Sequence, residues 1–196
     1  MNALAKVPVS MSVDEFLAWN PGDGRHWQLV DGEPQAMAPA SIVHAALQNE
    51  LGSVLRNHLR AHRPGCVVLA NPGVIPGLLS DRNVRIPDLA VTCSRLERAT
   101  YDVPDPVLIV EILSPSNQAE TWSSIWAYAT LPTVLELVVL HTATVAAHVL
   151  RRTPDGTWPV KPGLIEDGDL TLESIAFRTS LMGLYQDTPL HLPPKA

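Results

Sequence analysis

Lysine is nearly absent from this chain: Lys6, Lys161 and Lys195 are the only three among 196 residues, and none lies in the central segment. Cationic chemistry in the middle of the chain therefore falls to arginine and histidine. Positive charge is short overall, with 14 Lys and Arg against 20 Asp and Glu and a net charge of −6. That balance excludes a broadly basic nucleic-acid-binding surface, although a local arginine cluster can serve an acidic domain. Long apolar runs are missing too, since none approaches the roughly 20 residues that span a bilayer. Met1 to Lys6 lacks the apolar core of a signal peptide. These absences predict a cytoplasmic protein with no membrane partner. Cysteine is limited to Cys66 and Cys93, each in or beside an apolar stretch. Reduced, buried and inert thiols are the expectation, with a disulfide between the two as the alternative.

What is present is apolar: hydrophobic residues make up 46% and charged residues 17%, a composition that folds. The length suits one substantial core and not two. Ser12-Val13-Asp14-Glu15 has capping-box spacing and predicts a short helix through Trp19. His26 to Val30 and Glu33 to Met37 read as strands around an Asp31-Gly32 hairpin turn. Ser41 caps a long helix running to His62, with Val43, Leu47, Leu51, Leu55 and Leu59 at helical spacing and Gln48, Arg56, Arg60 and Arg63 on the opposite face. Strands are predicted at Cys66–Ala70, Ile86–Thr92, Val107–Leu113, Val134–His141 and Val145–Arg151, with a second long helix at Ala119–Ala129 and a short edge strand at Leu170-Thr171-Leu172. The expected organisation is an extension over 1–11, one domain over 12–185 and a loose proline-rich tail over 186–196. The fold class is α/β, a central mixed β-sheet flanked by helices.

Two carboxylates interrupt segments that otherwise read as buried strands: Asp88 in Arg85-Ile86-Pro87-Asp88-Leu89-Ala90-Val91, and Glu111 in Val107-Leu108-Ile109-Val110-Glu111-Ile112-Leu113. Burying an unpaired charge is unfavourable, and a shared hard cation would offset it. Mg2+ takes oxygen ligands, commonly one or two carboxylates with water and substrate phosphate. Ile112 would add its backbone carbonyl, and Glu33, after the hairpin turn, is a candidate third acid. The competing structural reading puts Asp88 in a turn and pairs Glu111 with an arginine such as Arg85.

The strings Gln28-Leu29-Val30-Asp31-Gly32-Glu33, Met37-Ala38-Pro39, the helix residue His44, Ile86-Pro87-Asp88-Leu89-Ala90-Val91 and Val110-Glu111-Ile112-Leu113-Ser114-Pro115-Ser116 occur in an order with a known likeness. Over about residues 12–150 the chain resembles a large bacterial family of restriction-endonuclease-like proteins within the PD-(D/E)XK nuclease superfamily. The resemblance implies a restriction-endonuclease-like core, with Glu33, Asp88 and Glu111 as the acidic catalytic residues. It implies Mg2+ or Mn2+ held by Asp88, Glu111 and the Ile112 carbonyl, DNA as the substrate, phosphodiester hydrolysis by metal-activated water, and a homodimer as a form such nucleases adopt.

The chain departs from that pattern where a lysine belongs. The superfamily places one two residues after the glutamate, where this chain has Leu113, and in the resembling family a lysine on the following helix can serve. Glu120 to Tyr128 contains no lysine or arginine, and the corresponding position falls near Ser124 or Ile125. Gln28 stands where the family often carries a glutamate. His44, Arg85 and Gln28 are therefore the candidates for support. Ser114 and Ser116 read as a turn and cap, and Trp122, Trp126 and Tyr128 as packing residues of the core or of a dimer. Two functions remain: a divalent-metal-dependent endonuclease, and a catalytically impaired relative that binds nucleic acid or protein.

Overall fold

The computed structural model describes residues 10–98 and 101–191, so residues 1–9 of the expected extension and 192–196 of the expected tail lie outside the described residues. No described helix is long and apolar enough to cross a membrane. Helix α1 (Val13–Ala18) starts on the expected capping box: Ser12 N–H donates to Glu15 Oε2 at 2.7 Å and Glu15 N–H to Ser12 Oγ at 3.3 Å. Strands β1 (Trp27–Val30) and β2 (Glu33–Ala36) pair across Asp31 and Gly32, whose φ values are 51° and 88°. Positive φ at both turn positions is what an Asp-Gly hairpin supplies. A Cβ on Gly32 would also stand 2.8 Å from Ser10 Oγ.

Helix α2 (Ile42–His62) buries Leu47, Leu51, Leu55 and Leu59, one apolar residue per turn. It is followed by β3 (Val67–Ala70), β4 (Leu89–Thr92), β5 (Pro106–Leu113), α3 (Gln118–Tyr128), β6 (Glu136–His141), β7 (Ala147–Arg151) and β8 (Gly163–Ile165). These strands form one six-stranded sheet in the order β3-β4-β5-β6-β7-β8. Only β5 and β6 run parallel, joined by the crossover through α3; all other neighbours are antiparallel. One face packs on α2 and on a C-terminal unit of β9 (Asp169–Leu172), β10 (Phe177–Ser180) and α4 (Leu181–Leu184). The other face packs on α3 through Ile109, Leu113, Ile125, Tyr128 and Val139. The expected mixed sheet flanked by helices is present.

Four expectations change in detail. The strand expected from Ile86 begins at Leu89, because Pro87 has no N–H to donate and Asp88 sits at a bend. Val84 and Arg85 instead form isolated bridges to Leu29 and Val74. Strands β8 and β10 were not anticipated; each is short and exists through pairing, with β7 and β9 respectively. Cys66 and Cys93 are not buried thiols but a disulfide, half-buried at Cys66 and exposed at Cys93. The reason is register: Val67 pairs with Thr92 in the β3–β4 ladder, so the next residues outward face each other. The tail expected from residue 186 still packs at Thr188, which is 1% exposed and donates to the Tyr185 carbonyl at 2.7 Å.

The C-terminal unit is tied to the sheet by Glu136, a carboxylate with 2% exposure at the start of β6. It accepts from Arg151 Nε at 2.8 Å, Glu173 N–H at 3.1 Å, Ser174 N–H at 2.8 Å and Ser174 Oγ at 2.6 Å. Glu136→Ala leaves the Glu173 and Ser174 N–H groups without this acceptor, while Arg151 keeps Glu173 and the Thr171 carbonyl; losing hydrogen bonds to a charged group costs about 1.5–3 kcal/mol. Urea unfolding of the variant is expected to show a loss of that size; a loss under about 1 kcal/mol would mean the network is solvated.

Candidate active site

The antiparallel register of β4 on β5, with Leu89 opposite Val110, delivers Asp88 to the Glu111–Ile112 peptide. Asp88 is 8% exposed, and its Oδ2 accepts the Ile112 N–H at 2.6 Å. Its Oδ1 lies 2.7 Å from His44 Nε2, a bond that places a proton on that ring nitrogen. The Asp88 carbonyl accepts from Gln48 Nε2 at 2.8 Å and from Asn71 N–H at 3.1 Å. His44 and Gln48 stand four residues apart and so share one face of α2. The start of that helix is fixed by Ser41, whose Oγ accepts the His44 N–H at 3.2 Å.

Glu111 points to the α3 face, where Tyr128 OH donates to its Oε1 at 3.0 Å. The Asp88 side chain and backbone N–H are close enough to act on its charge. Burial first, and the Asp88 charge second, push Glu111 well above the ordinary carboxylate range. Burial and the Glu111 charge likewise raise the Tyr128 phenol. Two neighbouring carboxylates of like charge each disfavour ionisation of the other. The donor set suits a hard divalent ion. Among the described residues no group of three or more His, Cys, Asp or Glu is arranged to hold a metal, so Asp88 and Glu111 are the acids available.

Arg85 is 4% exposed beside this pair. Burial lowers its guanidinium from the usual value, while Tyr128, Asp31 and Glu111 raise it. Nε donates to Asn83 Oδ1 at 3.2 Å, and Nη1 to Ser124 Oγ at 3.5 Å. Asn83 is itself held, donating to Asp31 Oδ1 at 3.0 Å and to the Leu79 carbonyl at 3.2 Å. The structural alternative is thus half met: Asp88 occupies a bend, but Glu111 is bonded to Tyr128 and forms no ion pair with Arg85 within 4.0 Å.

The remaining sequence candidates are placed differently. Glu33 is exposed on β2, and no hydrogen bond or ion pair among the described residues joins it to Asp88 or Glu111. Gln28 is half-buried on β1. The backbone of Ile112 meets Asp88 through its N–H, while its side chain is buried on the α2 face. Tyr128, read from sequence as packing, is fully buried but also a hydrogen-bond donor to the site. Gln48, assigned to the solvent face of its helix, is turned onto the Asp88 carbonyl. The His44–Gln48 spacing was the available signal for Gln48; nothing local marks Asn83 or Ser124. A groove of about 380 Å3 runs from Gln48, Asn71 and Leu89 along α2 to Ser53 and Arg56.

The family described as "Uma2: Putative restriction endonuclease" matches residues 13–181. A Synechocystis sp. protein named "Uncharacterized protein slr1290" is 26% identical over 178 residues, covering 90% of this chain and 92% of that one. The crystal structure of an Anabaena variabilis protein described as "a putative nuclease belonging to DUF820" superposes with a TM-score of 0.72 at 18% identity. That superposition covers 90% of this chain and 98% of the other, and shows a shared fold.

The raised Glu111 has a consequence for stability. Its folded pKa lies above the unfolded value of about 4.3, so its contribution is complete below that value and is lost as pH rises through the folded one. In EDTA, the Tm difference between wild type and Glu111→Gln is expected to shift against wild type as pH rises from 4 toward neutrality, by roughly 4–8 °C per kcal/mol in a small domain and less in this longer one. Parallel Tm curves for the two proteins would show that Glu111 is ordinarily ionised.

Proposed function

The chain belongs to the Uma2 family of "Putative restriction endonuclease" proteins, and from that premise we propose that it is a divalent-metal-dependent endonuclease hydrolysing DNA phosphodiester bonds at Asp88 and Glu111. The observation that carries this reading is that the β4–β5 register seats the Asp88 carboxyl on the Ile112 N–H, next to Glu111, whose charge it disfavours. Bound between them, Mg2+ or Mn2+ would polarise a phosphoryl oxygen and lower the pKa of an attacking water.

The chain's own groups have separable duties. Asp88 and Glu111 would supply the ligand oxygens. His44 and the Ile112 N–H hold the Asp88 carboxylate in one orientation, leaving its rotamer little freedom. Tyr128 does the same for Glu111. Gln48 and Asn71 fix the bend that presents Asp88. The groove along α2 offers amide, hydroxyl and guanidinium donors from Gln48, Asn49, Ser53, Asn71 and Arg56, a set suited to a phosphodiester backbone in a chain of negative net charge.

The test is cleavage of plasmid and linear duplex DNA with Mg2+ or Mn2+. Asp88→Ala and Glu111→Ala are each expected to reduce the rate by about 10²-fold or more, the several kcal/mol that a metal's charge stabilisation supplies. Unchanged activity in both variants rejects this site. Wild-type protein that binds DNA without cutting it under any metal would instead support the binding-module reading, which the lack of a lysine on α3 favours.

A further inference from the structure

A buried guanidinium normally meets a carboxylate, because leaving the charge unpaired is costly. Arg85 does not: among the described residues the ion pairs within 4.0 Å leave it out, although it is 4% exposed. Its partners are neutral oxygens, Asn83 Oδ1 on Nε and Ser124 Oγ on Nη1. A guanidinium carries five N–H donors, so part of the fork is unused. Nη2 makes no hydrogen bond among the described residues, yet the single fully buried side-chain N or O without a partner is Nε of Arg152. Nη2 of Arg85 therefore touches solvent. A nearly enclosed cation thus keeps N–H donors without a partner among the described residues.

The guanidinium lies at the site. The charged and polar neighbours that act on Arg85 are Tyr128, Asp31 and Glu111, and Ser124 and Tyr128 lie one turn apart on the helix covering Glu111. Helix α3 contributes no lysine or arginine of its own. Two carboxylates and an incoming phosphodiester concentrate negative charge beyond what one divalent ion neutralises, and a planar fork matches two phosphate oxygens. Asn83, bonded to Asp31 and Leu79, holds Nε so that the fork's direction is set before any ligand arrives.

We propose that Arg85 is the phosphate-binding cation of this site, its unpaired N–H donors receiving non-bridging oxygens of the scissile DNA phosphodiester beside Asp88 and Glu111. The assignment rests on the endonuclease reading above.

The experiment measures binding of a short DNA duplex by fluorescence anisotropy with Ca2+ in place of Mg2+, and metal affinity separately by calorimetry. Arg85→Gln keeps a side-chain amide to face Asn83 and Ser124. It is expected to weaken DNA binding at least tenfold, to lower the slope of log affinity against log salt by about one, as loss of one phosphate contact does, and to leave metal binding intact or tighter. Arg85→Lys should recover part of the affinity, and adding Ser124→Lys to Arg85→Gln should recover it from the other side of the same space. Unchanged DNA affinity and salt slope in a folded Arg85→Gln protein overturn the assignment. If Arg85→Gln does not fold, Asn83→Ala, which releases the fork without removing the charge, takes its place: severalfold weaker DNA binding supports the assignment and none opposes it. Metal affinity unaffected by Asp88→Ala and Glu111→Ala would sink the endonuclease reading itself. Metal affinity lost in those variants, with wild-type DNA binding in the Arg85 variants, sinks this inference alone.

Discussion

The contact between Asp88 and Glu111 is the constraint around which the middle of this molecule is arranged. The β4–β5 register forces two carboxylates together where the sheet is covered on both faces. Such a pair is unfavourable in a low-dielectric interior unless charge is removed, shared or balanced. Each neighbouring element addresses that problem. The Ile112 N–H and the His44 ring satisfy the oxygens of Asp88, and Tyr128 satisfies one oxygen of Glu111. Burial and the Asp88 charge together raise the Glu111 carboxyl above the ordinary carboxylate range.

The helices on the two faces therefore do different work at one point. Helix α2 buries four leucines on the sheet and, from its first two turns, sends His44 and Gln48 to the Asp88 side of the pair. Helix α3 is the parallel crossover between β5 and β6, so it begins just beyond the strand that carries Glu111 and passes back over it. Tyr128 and Ser124 face inward from that helix, to Glu111 and to Arg85. The hairpin turn enters through Asp31, which meets Asn83 in both directions: the Asp31 N–H donates to Asn83 Oδ1, and Asn83 Nδ2 donates to Asp31 Oδ1. Local turn chemistry at Asp31-Gly32 is thereby coupled to the orientation of the Arg85 fork. Glu136, by contrast, is a carboxylate whose donors are complete, and it reads as a fastener for the C-terminal unit.

Much of this was legible before any coordinates. The capping box at Ser12, the Asp31-Gly32 turn, the leucine spacing from Leu47 to Leu59 and the apolar runs around Asp88 and Glu111 are local patterns with local causes. They sufficed for the α/β class and the two main helices. Strands β8 and β10 were not legible, because three- and four-residue segments have no periodicity to read and exist only through their partners. The Cys66–Cys93 disulfide depends on the register of an edge pair, which spacing does not reveal. Glu33 looked equivalent to the other acids in sequence and is exposed on β2, with no hydrogen bond or ion pair among the described residues to either of them.

Residue order was thus enough to say that two carboxylates interrupt apolar strands, that the following helix lacks a cation, and that Arg85, His44 and Gln28 are the candidates left to support them. Only the tertiary structure decided which groups meet them. Tyr128 turns from a packing residue into the donor on Glu111, Gln48 leaves its solvent face for the Asp88 carbonyl, and Arg85 lies beside the acids without pairing to them. The physical reason is range. Propensity, capping and apolar periodicity act over a few residues, whereas burial and charge act between segments that only the folded chain brings within a few ångströms.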